Sequence, residues 1–372
     1  MDRVRVGGCI IGELEQSLLH HVLQNGQVGP GEMTKMFERE LAVAHGYKHG
    51  LCLNSGQSAL MVALKAESNR QGKPLRVAVP AVTYISTFAA IIQAGCEPVL
   101  VDVTSDARAN MIYDYIPADV DAIMPVHLFG RAIDDRTLRE RFPDKFIVED
   151  ACESAYAPGI GFGDALCLSF YSSHTITAGF GGAVLTNDDE LFFKMWQLVN
   201  HGRIKHDDYT ETVNLSERFT FDELGWSLKF SDLNAAVGLA QHIGREQNIK
   251  IRQTIGALIK ERLAPYEWIE MAPLDGHTFM MCPMVIDQAK PRPEAAQTRA
   301  GLISALNDAD IETRMLMPLT NQPIVKKILG DDIEAKYTGA QYLNEMGLYV
   351  GSHPLMGPDS IDRIVEVFGE LK

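Results

Sequence analysis

His174 stands at the end of the run Ser169-Phe170-Tyr171-Ser172-Ser173-His174, and a glycine turn, Gly179-Phe180-Gly181-Gly182, follows it. An imidazole forms no stable imine with an aldehyde, but with an unperturbed pKa of about 6.5 it carries protons near neutrality. Three other groups suit a flat, anionic ligand. Asn54-Ser55-Gly56-Gln57-Ser58-Ala59 joins a short apolar run to a helical pattern. A helix N-terminus there offers free N–H groups and the positive end of its dipole to a phosphate, and Gly56 permits close backbone approach. Glu149-Asp150 follows the apolar run Phe146-Ile147-Val148. A carboxylate at the carboxyl end of a parallel strand faces the ligand crevice of an open sheet, where Asp150 could pair with a pyridinium nitrogen. Tyr84, leaving another such run through Pro80, could stack on a flat ring. Taken singly, each has a plainer reading: a serine-capped turn, a helix cap and a core aromatic.

The elements that must position these residues alternate. Amphipathic patterns predict helices over Leu14–Leu23, Met33–Ala44, Ser58–Ala66 and Ser86–Gln93. Between and after them, Leu51–Leu53, Val77–Val79, Pro98–Val101, Ala122–Met124, Phe146–Val148, Leu166–Phe170 and Ala183–Thr186 are apolar without alternation. Such runs suit strands buried on both faces, so the expected fold is α/β, with a mostly parallel sheet between helices. Ser231-Asp232 is a fitting N-cap for one long helix running past Gln247. Composition changes after it, with a methionine-rich stretch from Met271 to Met284, read as core filling, and a loop at Lys290-Pro291-Arg292-Pro293. The predicted division is a large domain over 1–245 and a smaller C-terminal α/β domain over 246–372.

Bulk properties exclude several classes. The 372 residues are 46% hydrophobic and carry a formal net charge of −15, which argues against a nucleic-acid partner. Six scattered cysteines without a CxxC point to reduced thiols rather than disulfides or a metal site, and hence to the cytoplasm. No signal-peptide pattern or membrane-length apolar run is present, so no membrane association is expected.

The order and spacing of these motifs resemble the sugar aminotransferase and dehydratase family of fold-type-I pyridoxal phosphate enzymes. The resemblance runs through Asn54-Ser55-Gly56, Val126-His127-Leu128-Phe129-Gly130, Glu149-Asp150-Ala151-Cys152-Glu153-Ser154, Gly181-Gly182-Ala183 and Ile311-Glu312-Thr313-Arg314. It implies that Gly56, Gln57, Ser58 and Ser169 hold the cofactor phosphate, Tyr84 stacks on its ring, Asp150 meets its nitrogen and Ser154 lies beside its hydroxyl. His174 then takes the place of the lysine that usually binds pyridoxal phosphate as a Schiff base. A histidine there, after Ser-Phe-Tyr, is similar to the family's nucleotide-sugar 3-dehydratases of the GDP-4-keto-6-deoxymannose type. The resemblance thus implies non-covalent pyridoxal or pyridoxamine phosphate, a 4-keto nucleotide-sugar substrate, glutamate as amino donor, and a homodimer with active sites at the subunit interface.

Departures keep other readings open. Phe180 stands where the family commonly has Glu, Ser227 replaces the Asn that reaches the neighbouring subunit's cofactor phosphate, and Lys229 replaces the motif's Arg. Arg203, Lys229 and Arg314 are candidates for a diphosphate or a donor carboxylate. An aminotransferase, or a lysine-substituted variant of one, is the alternative enzyme, although no lysine lies between Lys145 and Lys194. A non-catalytic cofactor-binding relative is the third reading.

Overall fold

The apolar runs pair into one central sheet. In the computed structural model, which describes residues 3–133, 136–204 and 219–371, seven strands form it. They are β1 (His49–Leu53), β2 (Arg76–Pro80), β3 (Glu97–Val101), β4 (Ala122–Ile123), β5 (Phe146–Asp150), β6 (Ala165–Ser169) and β7 (Gly182–Thr186). Their order is β1-β7-β6-β5-β4-β2-β3. Strands β3, β2, β4, β5 and β6 run parallel, and β7 lies antiparallel between β6 and β1. Successive side chains alternate between two cores: Ala165 and Cys167 pack with helix Gly56–Gln71, whereas Leu166 and Leu168 pack with helices Glu32–His45 and Asp232–Ile243. This covering of both faces is why the strands read as unbroken apolar runs.

A second, antiparallel sheet has the order β10-β11-β9-β8, from β8 (Ile269–Met271), β9 (Met281–Ile286), β10 (Thr313–Met315) and β11 (Gly347–Gly351). Its core takes residues from helices Arg245–Leu263, Arg299–Asp308 and Pro358–Glu370, with Trp268 stacked on Phe368 at 5.6 Å. Val4 and Val6, at the start of the chain, also join this core, and Val4 bridges to Ile311.

The single long helix expected from Ser231 is two helices. Ser231 does cap the first, Asp232–Ile243, accepting from the Asn234 amide at 3.2 Å. Gly244, at φ −83° and ψ 2°, ends it and starts Arg245–Leu263. The break lets the first helix pack on the large sheet and the second on the small one. The methionine stretch fills this core as expected, with Met271, Met280, Met281 and Met284 all buried in it, and Met280 and Met281 also reach a cavity described below.

Asp232 shows how the helices interlock. Its buried carboxylate accepts from the amides of Gly31 (2.8 Å), Met33 (3.2 Å) and Thr34 (3.0 Å) and from the Thr34 hydroxyl (2.7 Å). It therefore caps helix Glu32–His45 from another helix, the role that Gly31 at the N-cap has no side chain to play. Asp232→Ala leaves those donors buried without an acceptor and should cost about 2–4 kcal/mol in urea unfolding, with Asp232→Asn costing less.

Candidate functional site

Strands β1, β2, β5 and β6 all end at one edge of the large sheet, and β7 begins there. The chain between β6 and β7, residues 170–181, carries His174 across that edge. A cavity of about 370 Å³ opens at this place, lined by Gly56, Gln57, Tyr84, Ser169 and His174 among the residues expected from sequence.

The floor is built from the helix that follows β1. Ser55 is the N-cap of Gly56–Gln71, its hydroxyl accepting from the Ser58 amide at 3.1 Å. The Ser58 hydroxyl turns inward to Asn54 Oδ1 at 2.7 Å, so Ser58 braces the turn rather than lining the cavity. The first-turn amides of Gly56 and Gln57 have no intrahelical acceptor and stand at the cavity as an anion site. Here glycine is required twice. A Cβ on Gly56 would lie 2.8 Å from Ser169 Cβ, and one on Gly182 would lie 2.5 Å from the Gly56 nitrogen.

Behind the floor, Glu149 and Asp150 at the end of β5 point to opposite faces. Glu149 is scaffold: it accepts from the amides of Gly161 (2.9 Å) and Gly163 (2.6 Å) and meets His127 Nε2 at 3.0 Å. His127 Nδ1 accepts from the Ile133 amide at 3.1 Å, so Nε2 carries the proton it donates to Glu149. Asp150 is buried, accepting from Thr87 Oγ1 at 2.8 Å and from the Cys152 amide at 3.1 Å. Tyr84, 56% exposed, stands at the mouth.

His174 is set in the cavity wall with Nδ1 3.4 Å from the Ser169 carbonyl, which leaves Nε2 without that constraint. Burial, opposed by the Ser169 carbonyl and aided by Arg252, lowers its pKa to about 4. The ordinary imidazole value anticipated from sequence is therefore corrected: the ring is neutral across physiological pH.

Ser154 is placed differently from its expected role. It is fully buried, its hydroxyl donating to the His127 carbonyl at 2.7 Å and accepting from the Gly130 amide at 3.1 Å. The residue of that turn that faces the cavity is Glu153. One Glu153 oxygen accepts from the Phe129 amide at 2.9 Å, and burial with the nearby Asp150 pushes its pKa up to about 7. The run Glu149 to Ser154 was visible in sequence, but only the turn decides which member faces inward. Burial raises the Cys152 thiol, also in the lining, well above its ordinary value, which favours the neutral thiol there.

Seven expected residues are not in the lining: Ser58, Asp150 and Ser154 sit behind it, and Ser227, Lys229, Arg203 and Arg314 lie elsewhere. Lys229 Nζ meets His201 Nε2 at 3.2 Å and Ser227 Oγ at 3.4 Å, and Lys229 lines a separate space of about 200 Å³ with Glu38 and Trp196. The Arg203 guanidinium packs on Phe221, and Arg314 on β10 pairs with Glu312. Met281, Met317, Phe180 and Tyr349 give the cavity an apolar outer wall that no motif announced.

Residues 9–369 match the DegT/DnrJ/EryC1/StrS aminotransferase family. The chain belongs to that family. Among curated members, GDP-perosamine synthase of Vibrio cholerae is 28% identical over 313 residues, 81% of each chain. GDP-4-keto-6-deoxy-D-mannose 3-dehydratase of Yersinia pseudotuberculosis is 26% identical over 387 residues, covering 97% of this chain and 96% of its own. The structure of the E. coli GDP-4-keto-6-deoxy-D-mannose-3-dehydratase with bound hydrated PLP superposes with a TM-score of 0.87 at 23% identity, over 99% of this chain and all of that one. Helicobacter pylori PseC, an aminotransferase of pseudoaminic acid biosynthesis, gives 0.86 at 18% identity, over 99% of both chains. The expected fold-type-I architecture is thus borne out, and the family spans both an amino-transferring and a dehydrating branch.

Two predictions follow from the site's charges. Histidine-ring NMR of the ligand-free protein should hold the His174 signals at their neutral positions from pH 8 down to 5, with titration near 4. Glu153 has its folded pKa above the unfolded value of 4.5, so its ionisation penalises the fold as pH rises from 4.5 to about 7. Glu153→Gln should therefore melt progressively higher than the parent across that window and level off above it, whereas Ser154→Ala should melt lower at every pH.

Proposed function

We propose that the protein is a dehydratase that removes the hydroxyl next to the keto group of a 4-keto nucleotide sugar, with pyridoxal or pyridoxamine 5′-phosphate held without a covalent link. The observation that carries this reading is the wall of the cavity: it presents the His174 imidazole, and no lysine is among its lining residues. An amino-transferring member of such a family needs an amine to hold and release the cofactor; an imidazole supplies only proton transfer.

The residues present fit that cofactor. The amides of Gly56 and Gln57 and the hydroxyls of Ser55 and Ser169 suit its phosphate. Asp150, already bonded to Thr87 and a backbone amide, is a buried carboxylate for the ring nitrogen, and Tyr84 offers an aromatic face. When bound, the cofactor supplies an amine for the substrate's keto carbon and a ring that delocalises an electron pair. His174 Nε2, neutral at physiological pH, takes and returns the proton that elimination requires. Glu153, near half-protonated at neutrality, holds a second proton in the same cavity. The apolar wall of Met281, Met317 and Tyr349 excludes water around them.

Ser227, Lys229 and Arg203 lie outside their own chain's cavity, so the cofactor and substrate contacts expected of them would be made across a homodimer. The exposed Tyr171, Phe180, Phe219 and Leu224 supply apolar surface for a second copy to cover. Glutamate is the amino donor we assign. No helix among the described residues is long and apolar enough to cross a membrane, and the reading places the enzyme in the cytoplasm with other makers of deoxysugars.

The test is an absorbance titration with pyridoxal phosphate, then glutamate, followed by an assay on GDP- and dTDP-linked 4-keto sugars. The expected result is conversion to the amino form of the cofactor, ammonia release and a deoxygenated product. A stable amino sugar would replace this reading with a nucleotide-sugar aminotransferase. Cofactor binding with no turnover of any such sugar would move it to a non-catalytic role.

A further inference from the structure

Helix Arg245–Leu263 packs beside the His174 loop and presents Arg252 and Asn248 to it. The Arg252 side chain is fully buried. Its Nε donates to Asn248 Oδ1 at 2.9 Å, Nη1 to the carbonyls of Met280 (3.1 Å) and Ser352, and Nη2 to the His174 carbonyl at 3.2 Å. One turn earlier, Asn248 Nδ2 donates to the Thr175 carbonyl at 2.7 Å. Among the described residues no carboxylate pairs with Arg252. A buried cation answered only by neutral acceptors is costly, and an apolar side chain would fill the space at less cost. Its three carbonyl partners come from the approach to β9, the exit of β11 and the loop between β6 and β7. The guanidinium fork thus ties the small sheet to the segment that carries the imidazole.

We propose that Arg252, braced by Asn248, is the positioning residue for His174: it grips the loop backbone and sets where the ring stands in the cavity. This rests on the reading of His174 as the cavity's proton carrier. The ring's own polar contact is the long one to the Ser169 carbonyl, so its place is governed by the backbone that bears it. The far end of the loop has a separate anchor, Asn234 Nδ2 donating to the Ala178 carbonyl at 2.7 Å. That anchor leaves the carbonyls of residues 174 and 175 to Arg252 and Asn248. Lysine keeps the charge of Arg252 but lacks the fork that reaches three acceptors at once.

Arg252→Lys, Arg252→Met and Asn248→Ala separate charge, fork and brace. Three quantities are read on variants that circular dichroism shows to be folded: the His174 ring signals in ligand-free protein, the dissociation constant for pyridoxal phosphate, and the rate of its conversion by glutamate. Dissociation constants should stay within about threefold, while the conversion rate falls about 100-fold in Arg252→Met and about tenfold in Asn248→Ala, with partial recovery in Arg252→Lys. The His174 signals should shift or broaden in the same order. Unchanged His174 signals and rates in folded Arg252→Lys and Asn248→Ala would overturn the proposal. If Arg252→Met does not fold, those two variants decide alone. If the parent protein neither binds nor converts the cofactor, the functional reading fails by itself, and the ring signals of the ligand-free variants still decide this one.

Discussion

No side chain fits between the first residue of β7 and the first turn of helix Gly56–Gln71. A Cβ on Gly182 would stand within 2.6 Å of the Ser55 carbonyl carbon and oxygen and of the Gly56 nitrogen. That backbone-to-backbone contact fixes the candidate site. It holds the helix N-terminus against the sheet edge, brings Ser169 at the end of β6 beside Gly56, and forces residues 170–181 to arch over the same edge. With β7 antiparallel between β6 and β1, His174 is delivered to the place where the parallel strands end, the usual crevice of an α/β sheet.

The electrostatics follow from how that crevice is closed. His174 and Glu153 share one cavity, yet burial moves them in opposite senses. It disfavours the charged form of each, so the imidazole pKa falls to about 4 and the carboxyl pKa rises to about 7. At about pH 5–6 the same cavity therefore holds a neutral imidazole beside a largely protonated carboxyl. The neighbouring Glu149 lies one residue from Asp150 but on the other face, spent on His127 and two glycine amides. Alternation along a strand thus sends one carboxylate to His127 and the glycine amides and the next to Thr87 and the Cys152 amide on the other face.

Much of the fold was legible because burial on both faces leaves a plain mark, short unbroken apolar runs at turn-bounded intervals. The strands and most helices lie where those runs predict them. The helix from Ser231 was misread because its cap and its apolar pattern are both genuine, and a glycine is tolerated within a helix often enough that Gly244 alone does not announce a break. What ends the helix there is the existence of two sheets to pack against, a tertiary fact. That Glu153 rather than Ser154 lines the cavity was hidden for a related reason: in a tight turn after a strand, period-2 reasoning has lapsed, and one residue of rotation exchanges the two.

By itself the sequence determined the α/β class, the phosphate-suited turn at Gly56, the carboxylate Asp150 and the absence of a lysine near His174, because each depends on residue type within a short stretch. Tertiary structure alone decided the lowered pKa of His174, the inward face of Glu153, the apolar wall from Met280 to Tyr349 and the burial of Arg252 under the His174 loop. Those depend on what is brought within a few ångströms from residues far apart in the chain. Desolvation, the cause of both pKa shifts, has no counterpart in local sequence.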